Sequence, residues 1–442
     1  MIIIEGATLI DGSGAAPLPD SEVVIADGRF LHAGRRSNAY EQASARRWQL
    51  PGRTIVPGLI EAHTHAHSDA DMRAYIKNGI TTIRFAGLAL KTVELLRHRI
   101  DAGEITGPRI VNLGPMLDVP PAAYPEWSVT VGTPEEAGKT ADELSSRPDV
   151  DGLILAQRIT DLKARAIIDA AHARQRSVVG QIWAIDAERA SQFGIDELHT
   201  PSRVLKSRHY PEKCLLEYHT IAERLALASR AWSTLDWDLT RPIMEAMVSN
   251  GVSYCGMQVI VDFLVGVGAS ELEADPDYLD LFGAVERQSF RDFTQRLQGT
   301  WSDEDRDFAR RANDMRREWM QRFRALGGTL LAGTDMQFGG IMLHRELSNL
   351  QDLGMTPLEV IATATGVCGR VLGLPQGLVR EGRPADLVIL NRNPADDLSA
   401  LRDIACVIKN GVVLWGDIAS KDGGPDNELA SSPGARQAGC TK

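Results

Sequence analysis

From Ile55 onward, short apolar runs alternate with stretches in which apolar residues recur every three or four positions. The first pattern is that of buried strands and the second that of amphipathic helices. Eight candidate strands follow in order: Ile55–His65, Ile80–Phe85, Arg109–Leu113, Gly152–Gln157, Ser177–Trp183, Ile195–His199, Val252–Val259 and Thr329–Asp335. Helical stretches lie between them. In Asp161–Arg174, for example, Leu162, Ala166, Ile167 and Ala170 share a face. Strand–helix alternation implies a parallel sheet, and eight units in this length predict a closed (β/α)8 barrel, TIM-like, over residues 57–376. In such a barrel the chemistry sits at the C-terminal strand ends.

The chain ends read differently. Residues 1–56 carry short strands (Ile2–Ile4, Ala7–Ile10, Val23–Ala26, Arg29–His32) punctuated by Gly, Pro and Asp. After helical stretches at Leu343–Leu353 and Pro357–Leu372, strands return at Ala385–Leu390, Ile404–Ile408 and Val412–Trp415. Asp27-Gly28 and Asn410-Gly411 are hairpin signals, because both central turn positions need positive φ. Neither end has enough apolar surface to fold alone. The expectation is therefore one β-sandwich domain built from residues 1–56 and 377–420, making an α/β protein of two domains. The Gly-, Pro- and Ser-rich segment 421–442 is expected to be a flexible tail. No internal repeat is visible.

Two long connections interrupt the barrel pattern, at 200–250 and 260–328. The second carries acidic and aromatic segments, Glu271–Asp280 and Arg287–Arg324. Both follow strand C-termini, so they are expected to overhang the pocket mouth and shape access to it.

Composition narrows the function without naming it. The 442 residues are 43% hydrophobic and 24% charged, with a net charge of −11 and no basic block. That argues against nucleic acid and anionic membrane as partners and leaves a small-molecule substrate; a homo-oligomer stays open. No run of about 20 apolar residues and no signal-peptide pattern occurs, so a cytoplasmic location is expected. The five cysteines are scattered without a Cys-x-x-Cys, which points neither to a disulfide framework nor to a thiolate metal site.

The chemistry concentrates in Val56-Pro57-Gly58-Leu59-Ile60-Glu61-Ala62-His63-Thr64-His65-Ala66-His67. Alternate strand residues share a face, so His63 and His65 project side by side and can hold one divalent ion. His67 lies just beyond. A strand-end carboxylate, Asp335, and a strand-end histidine, His199, complete the set of candidates. Read singly, each has a plain alternative: polar strand end, helix cap or satisfied core histidine.

Taken together, these residues resemble the amidohydrolase superfamily, in its imidazolonepropionase and prolidase-like branch. The resemblance runs through the segment just quoted, Gly79-Ile80-Thr81-Thr82-Ile83-Arg84, Ala332-Gly333-Thr334-Asp335, His344-Arg345-Glu346-Leu347, Met355-Thr356-Pro357-Leu358-Glu359, and Gly382-Arg383-Pro384-Ala385-Asp386-Leu387-Val388-Ile389-Leu390. It implies a metal-dependent hydrolase of an amide, lactam or other cyclic C–N bond, using a metal-activated water. Carried over by position, His63, His65 and Asp335 are metal ligands, Asp335 also shuttles the proton, and His199 stabilises the oxyanion. Two positions depart from the family pattern. Ile154 or Leu155 stands where a bridging carboxylated lysine is expected, and Gln181 stands where a histidine is expected. One ion, zinc by its donor types, is therefore implied rather than two, with Gln181 as a weak fourth ligand. Arg158 and Trp183, just past strand ends, are candidates for binding a substrate anion and an apolar group, and His67 is a further substrate-binding candidate. Two rival readings keep the pocket without the metal: a lyase, isomerase or cyclase working by acid–base chemistry, and a non-catalytic binding relative.

Overall fold

A computed structural model describes residues 1–442 except 123, 201, 208–220, 267–268, 300, 337 and 419–442. The expected tail and part of the 200–250 connection fall outside the described residues. Among the described residues the chain is a mixed α/β fold with three sheets.

Two of the sheets are parallel throughout. One runs Leu59–Thr64, Ile80–Phe85, Arg109–Asn112. The other runs Ser128–Thr130, Met116–Asp118, Gly152–Leu155, Ser177–Gly180, Glu197–His199, Ser253–Cys255, Leu330–Leu331. Backbone hydrogen bonds join them on both sides. Asp151 N donates to Asn112 O (2.7 Å), Ala62 N to Ala332 O (2.9 Å) and Asp335 N to His63 O (2.9 Å). The expected third strand is split. Arg109–Asn112 pairs with Ile80–Phe85, and after Gly114, at positive φ, Met116–Asp118 pairs onward with Gly152–Leu155.

The third sheet has eight strands and draws on both chain ends. Its order is Val412–Gly416, Ile404–Lys409, Leu387–Leu390, Thr54–Pro57, Ile2–Leu9, Leu18–Ala26, Arg29–Arg35, with Arg46–Gln49 also on Ile2–Leu9. Both expected hairpin turns form, with φ of 50° and 73° at Asp27-Gly28 and 48° and 75° at Asn410-Gly411. An apolar cluster including Ile4, Val23, Phe30, Ile55, Leu387, Ile389 and Ile408 fills one side.

Several strands are shorter than their apolar runs suggest, and each limit has a cause. The run Ile55–His65 is two strands. Thr54–Pro57 belongs to the chain-end sheet and Leu59–Thr64 to the parallel one. Pro57 has no N–H to continue the ladder, and a Cβ on Gly58 would lie 2.1 Å from Thr81 Oγ1, so the crossing needs glycine. The run Val252–Val259 stops as a strand at Cys255 and becomes the helix Gln258–Leu264. The buried Glu346 carboxyl accepts from Gln258 N (3.1 Å) and Val259 N (2.8 Å), satisfying the free N–H groups at the start of that helix. The long connections are helical: Ile221–Ser233, Trp237–Ser249, Ala269–Glu273, Pro276–Leu281, Ala284–Gly299 and the 23-residue Asp303–Ala325. The last starts at a capping box between Ser302 and Asp305. No helix among the described residues is long and apolar enough to cross a membrane.

Candidate active site

Alternation along Leu59–Thr64 turns Glu61 and His63 to one face, and His65 follows just past the strand end. Glu61 is buried. Its Oε1 accepts from His63 N (3.1 Å) and Thr334 N (2.9 Å), while Thr334 N and Asp335 N both reach His63 O. Burial raises the Glu61 pKa to about 8. These bonds bring the ends of the first and last parallel strands together. Asp335 sits there at φ 54°, the left-handed region that aspartate tolerates better than most residues and that is often found at functional positions.

The three side chains converge. His65 Nε2 lies 3.1 Å from Asp335 Oδ1, His63 Nε2 lies 3.4 Å from the same oxygen, and the two Nε2 atoms are 3.3 Å apart. An ion bound at about 2.0–2.1 Å in tetrahedral geometry has ligand atoms about 3.3–3.4 Å from one another. The spacing therefore fits one divalent cation, with a fourth position left over. Burial pushes the pKa of His63 down to about 3, so its imidazole is neutral and a lone pair is available. Burial alone would raise the pKa of Asp335, but the imidazoles of His63 and His65 beside it hold it below the ordinary carboxylate value.

His199 is completely buried behind His63. Its Nδ1 is 2.6 Å from His63 Nδ1, and its Nε2 is 3.1 Å from Glu197 Oε2 and 3.2 Å from Arg84 Nη2. Glu197 is ionised. Burial opposes this, but the charge of Arg84, bonded to both its oxygens at 2.8 and 2.6 Å, holds its pKa well below the usual range. With a carboxylate accepting at Nε2, His199 Nδ1 accepts the proton of His63 Nδ1. That leaves the lone pair of His63 on Nε2, facing Asp335. Both ring nitrogens of His199 are thus taken by protein groups. The next residue, Thr200, is the one that lines the cavity.

That cavity, of about 300 Å3, opens from His65 and Asp335. Its walls are chiefly aromatic and aliphatic: Tyr124, Trp127, Trp183, Phe290, Trp301 and Leu264, with polar Gln157, Gln181, Thr200 and Arg224. The helices of both long connections supply the roof, through Arg224, Leu225, Ile260, Phe290 and Ala309. Gln181 Nε2 donates to Thr200 O (2.9 Å). Beneath, Ile154 packs with Ala86, Leu113, Met116, Ala156 and Val179, all buried.

Of the residues singled out from sequence, His63, His65 and Asp335 meet, and Gln181 and Trp183 share the cavity they open into. Arg158 and His67 are not in its lining. Arg158 Nη2 donates to the carbonyls of Val119 (2.7 Å) and Pro121. His67 is exposed, with Nδ1 2.7 Å from the carbonyl of His65. Glu61, Arg84 and Glu197 were not anticipated, although two of them share a face with a strand residue that was: Glu61 lies two before His63 and Glu197 two before His199. Tyr124, Trp127 and Arg224 lie in connections whose path no local pattern reveals.

The model of the Amidohydrolase family matches residues 54–414. The chain is 38% identical over 66 residues to a 5-methylthioadenosine/S-adenosylhomocysteine deaminase of Symbiobacterium thermophilum, a match covering 15% of each chain. It is 33% identical over 144 residues to an imidazolonepropionase of Rhizorhabdus wittichii, covering 30% of this chain and 33% of that one. The matches thus span a third or less of the length of these relatives. Among solved structures, a Xaa-Pro dipeptidase with bound methionine in the active site superposes with a TM-score of 0.67 at 19% identity, covering 94% of this chain and 100% of the other. At that identity the likeness speaks for the fold.

Proposed function

Because this chain belongs to the amidohydrolase family, we propose that it is a hydrolase of carbon–nitrogen bonds whose substrate is an amide, lactam or other cyclic C–N compound bearing a large apolar or aromatic group. The observation that carries this reading is the meeting of three ligand atoms, His63 Nε2, His65 Nε2 and Asp335 Oδ1, at the end of an aromatic cavity.

One divalent ion, zinc by the donor set, suits these residues, and when bound it supplies Lewis-acid activation of a water. The protein does the rest. His63 and His65 hold the ion through Nε2. Asp335 takes a proton from the attacking water and delivers it to the leaving nitrogen, a role its depressed pKa serves by keeping it unprotonated at neutral pH. The apolar walls exclude bulk water and bind the hydrocarbon part of the substrate, with Trp183, Phe290 and Trp301 as its main surfaces. Arg224 and Arg316 are the cations of the lining suited to a substrate anion, the Arg224 guanidinium held by Gln157 Oε1 at 2.7 Å. His199 acts on His63 rather than on the substrate, fixing its tautomer. A second ion is disfavoured by the hydrocarbon of Ile154 and its neighbours where a bridging anion would be needed.

In this reading the parallel strands close as a (β/α)8 barrel over 57–376, and residues 1–56 and 377–420 form the accessory β domain, its last residues lying outside those described. The protein works in the cytoplasm.

Elemental analysis of protein purified without chelator, combined with hydrolysis of a panel of N-acyl compounds graded by the size of the apolar group, tests the proposal. One ion per chain and a rate that rises with aromatic substituents are expected. Two bound ions would refute the single centre. Undiminished turnover by rigorously metal-free protein would move the reading to metal-independent acid–base chemistry, and no turnover with tight small-molecule binding would move it to a binding protein.

A further inference from the structure

His65 lacks the support that its neighbour has. Its Nδ1 is buried and has no hydrogen-bond partner among the described residues. Metal-ligating imidazoles ordinarily give their second nitrogen to an acceptor, which fixes the ring and raises its basicity. The ring of His65 instead lies flat against Trp127, with centroids 5.0 Å apart and planes 12° from parallel. Trp127 is stacked in turn on Tyr124, at 5.9 Å and 18°. The guanidinium of Arg224 lies 5.5 Å from the centre of the Tyr124 ring, and its Nη1 is tied to Gln157. Four flat groups thus form a column from the candidate centre to the roof helix Ile221–Ser233.

We propose that Trp127 is the positioning residue for His65, its indole face taking over by stacking the orienting task that a hydrogen bond performs elsewhere. The inference rests on the functional reading above. The torsion that turns an imidazole about its Cβ–Cγ bond is soft and roughly two-fold, so a ring with a free Nδ1 is not held by its own rotamer. A stacked indole confines the ring to one plane, leaving two orientations. Asp335 Oδ1, 3.1 Å from Nε2, selects the one that sends nitrogen rather than carbon toward His63. Stacking between aromatic rings favours that plane over a rotated one.

The test measures zinc affinity by competition with a chromogenic chelator for the wild type, Trp127→Ala, Trp127→Phe and Trp183→Ala, together with the visible spectrum of each cobalt-loaded protein. Loss of an orienting partner typically costs about 10–100-fold in metal affinity. That loss is expected for Trp127→Ala with a changed cobalt spectrum, near-complete rescue by Trp127→Phe, and wild-type affinity for Trp183→Ala, which lines the same cavity and packs on Ala228. Wild-type affinity in Trp127→Ala, or an equal loss in Trp183→Ala, overturns the proposal. The ring is also read without metal, by nitrogen-15 NMR of the His65 imidazole. One sharp tautomer displaced by the indole ring current is expected in the wild type, and exchange broadening in Trp127→Ala. An unchanged His65 signal overturns the positioning role even in a protein that binds no ion. Absence of ion binding with the expected NMR change rejects the metal reading and upholds the stacking.

Discussion

His63 and His65 stand two residues apart in one chain segment, yet the protein holds them in unlike ways. His63 is fully buried and ends a chain of hydrogen-bonded contacts anchored in an ion pair: His199, then Glu197, then Arg84. Every link lies on a parallel strand. His65 sits past the strand end, more open to the cavity, and leans on aromatic rings carried by the connection after Met116–Asp118. The first support is stiff because removing any member strands a buried charge or polar group. The second is adaptable because stacking has broad geometry and breaks no hydrogen bond when the ring shifts. The proposed centre, with one rigid and one yielding histidine, would keep its place in the fold while its open side adjusts to substrate.

Asp335 touches both histidines, so its replacement should erase the difference between them. Asp335→Asn keeps the shape but removes the charge and the proton acceptor. Turnover is expected to fall by at least about 10²-fold, the usual scale for a lost general base, with the thermal midpoint nearly unchanged. Near-normal turnover would remove Asp335 from the mechanism.

Glu197→Ala strikes the rigid side alone. It leaves the Arg84 guanidinium buried without its carboxylate, a loss of about 3–5 kcal/mol in folding free energy by denaturant titration. His65 should keep its place on Trp127 in whatever fraction remains folded. A loss under about 1 kcal/mol would mean that the Arg84–Glu197 pair does not anchor the strands.

The two supports also differ in how far the sequence foretold them. His63, His65 and Asp335 were legible because they end apolar runs, and strand alternation converts a His-x-His into a shared face. Glu197 followed the same rule from His199 but carried no signal of its own, since a carboxylate near a strand end reads as solvent-facing until a cation is found. Arg84 is that cation, and 113 residues separate the two. The surroundings of His199 were not legible either: it is buried against His63, while Thr200, on the opposite alternation, reaches the cavity. Trp127 could not be found at all. It lies in a short turn of Pro125–Trp127 whose position depends on tertiary packing rather than on local pattern. The succession of parallel strands and the two hairpin turns were readable from periodicity and turn residues. The strands of the two chain ends were expected as a sandwich and lie in one eight-stranded sheet. Strand limits were not readable, because Pro57-Gly58 and the Glu346 cap act across the fold.

pH should separate the rigid wall from the roof. Glu197 has its pKa depressed on folding, so its contribution is complete above the unfolded value of about 4.3 and is lost as pH falls below it. Glu346, which caps the roof helix Gln258–Leu264, is pushed up to about 7 by burial. Nearby Arg317 is bonded to Asp262 at 2.9 Å. A raised folded pKa has the opposite sign: the contribution is complete below about 4.3 and is lost as pH rises through about 7. Denaturation midpoints should therefore decline as pH falls below about 4.3 and again as it rises from about 4.3 toward 8, since buried Glu61 is raised to about 8 as well. Glu346→Gln should remove about 1–3 kcal/mol of the second decline, the part complete near pH 7, while leaving the Glu61 part and the acid side in place. A decline between about pH 4.3 and 7 as steep in Glu346→Gln as in the wild type would show that Glu346 does not contribute to it.

The smallest effect is expected at the third histidine, and it bounds the comparison. His67 continues the alternation of His63 and His65, so by sequence it belongs with them. In the fold it is exposed, its Nδ1 turned back to the carbonyl of His65 at 2.7 Å, and it has no place in the cavity lining. An exposed side chain bonded to local backbone contributes little, and its loss normally changes stability by under about 0.5 kcal/mol. His67→Ala should therefore alter zinc affinity and kcat/KM by less than about threefold, since nothing it touches is a ligand atom; the carbonyl it contacts lies on the main chain of His65, not on the ring. The measurement is sharper than its size suggests. If His67→Ala weakened zinc binding as much as Trp127→Ala, the open side of the centre would be held through the backbone of His65 rather than through its ring, and the contrast between a hydrogen-bonded and a stacked ligand would have to be redrawn around that carbonyl.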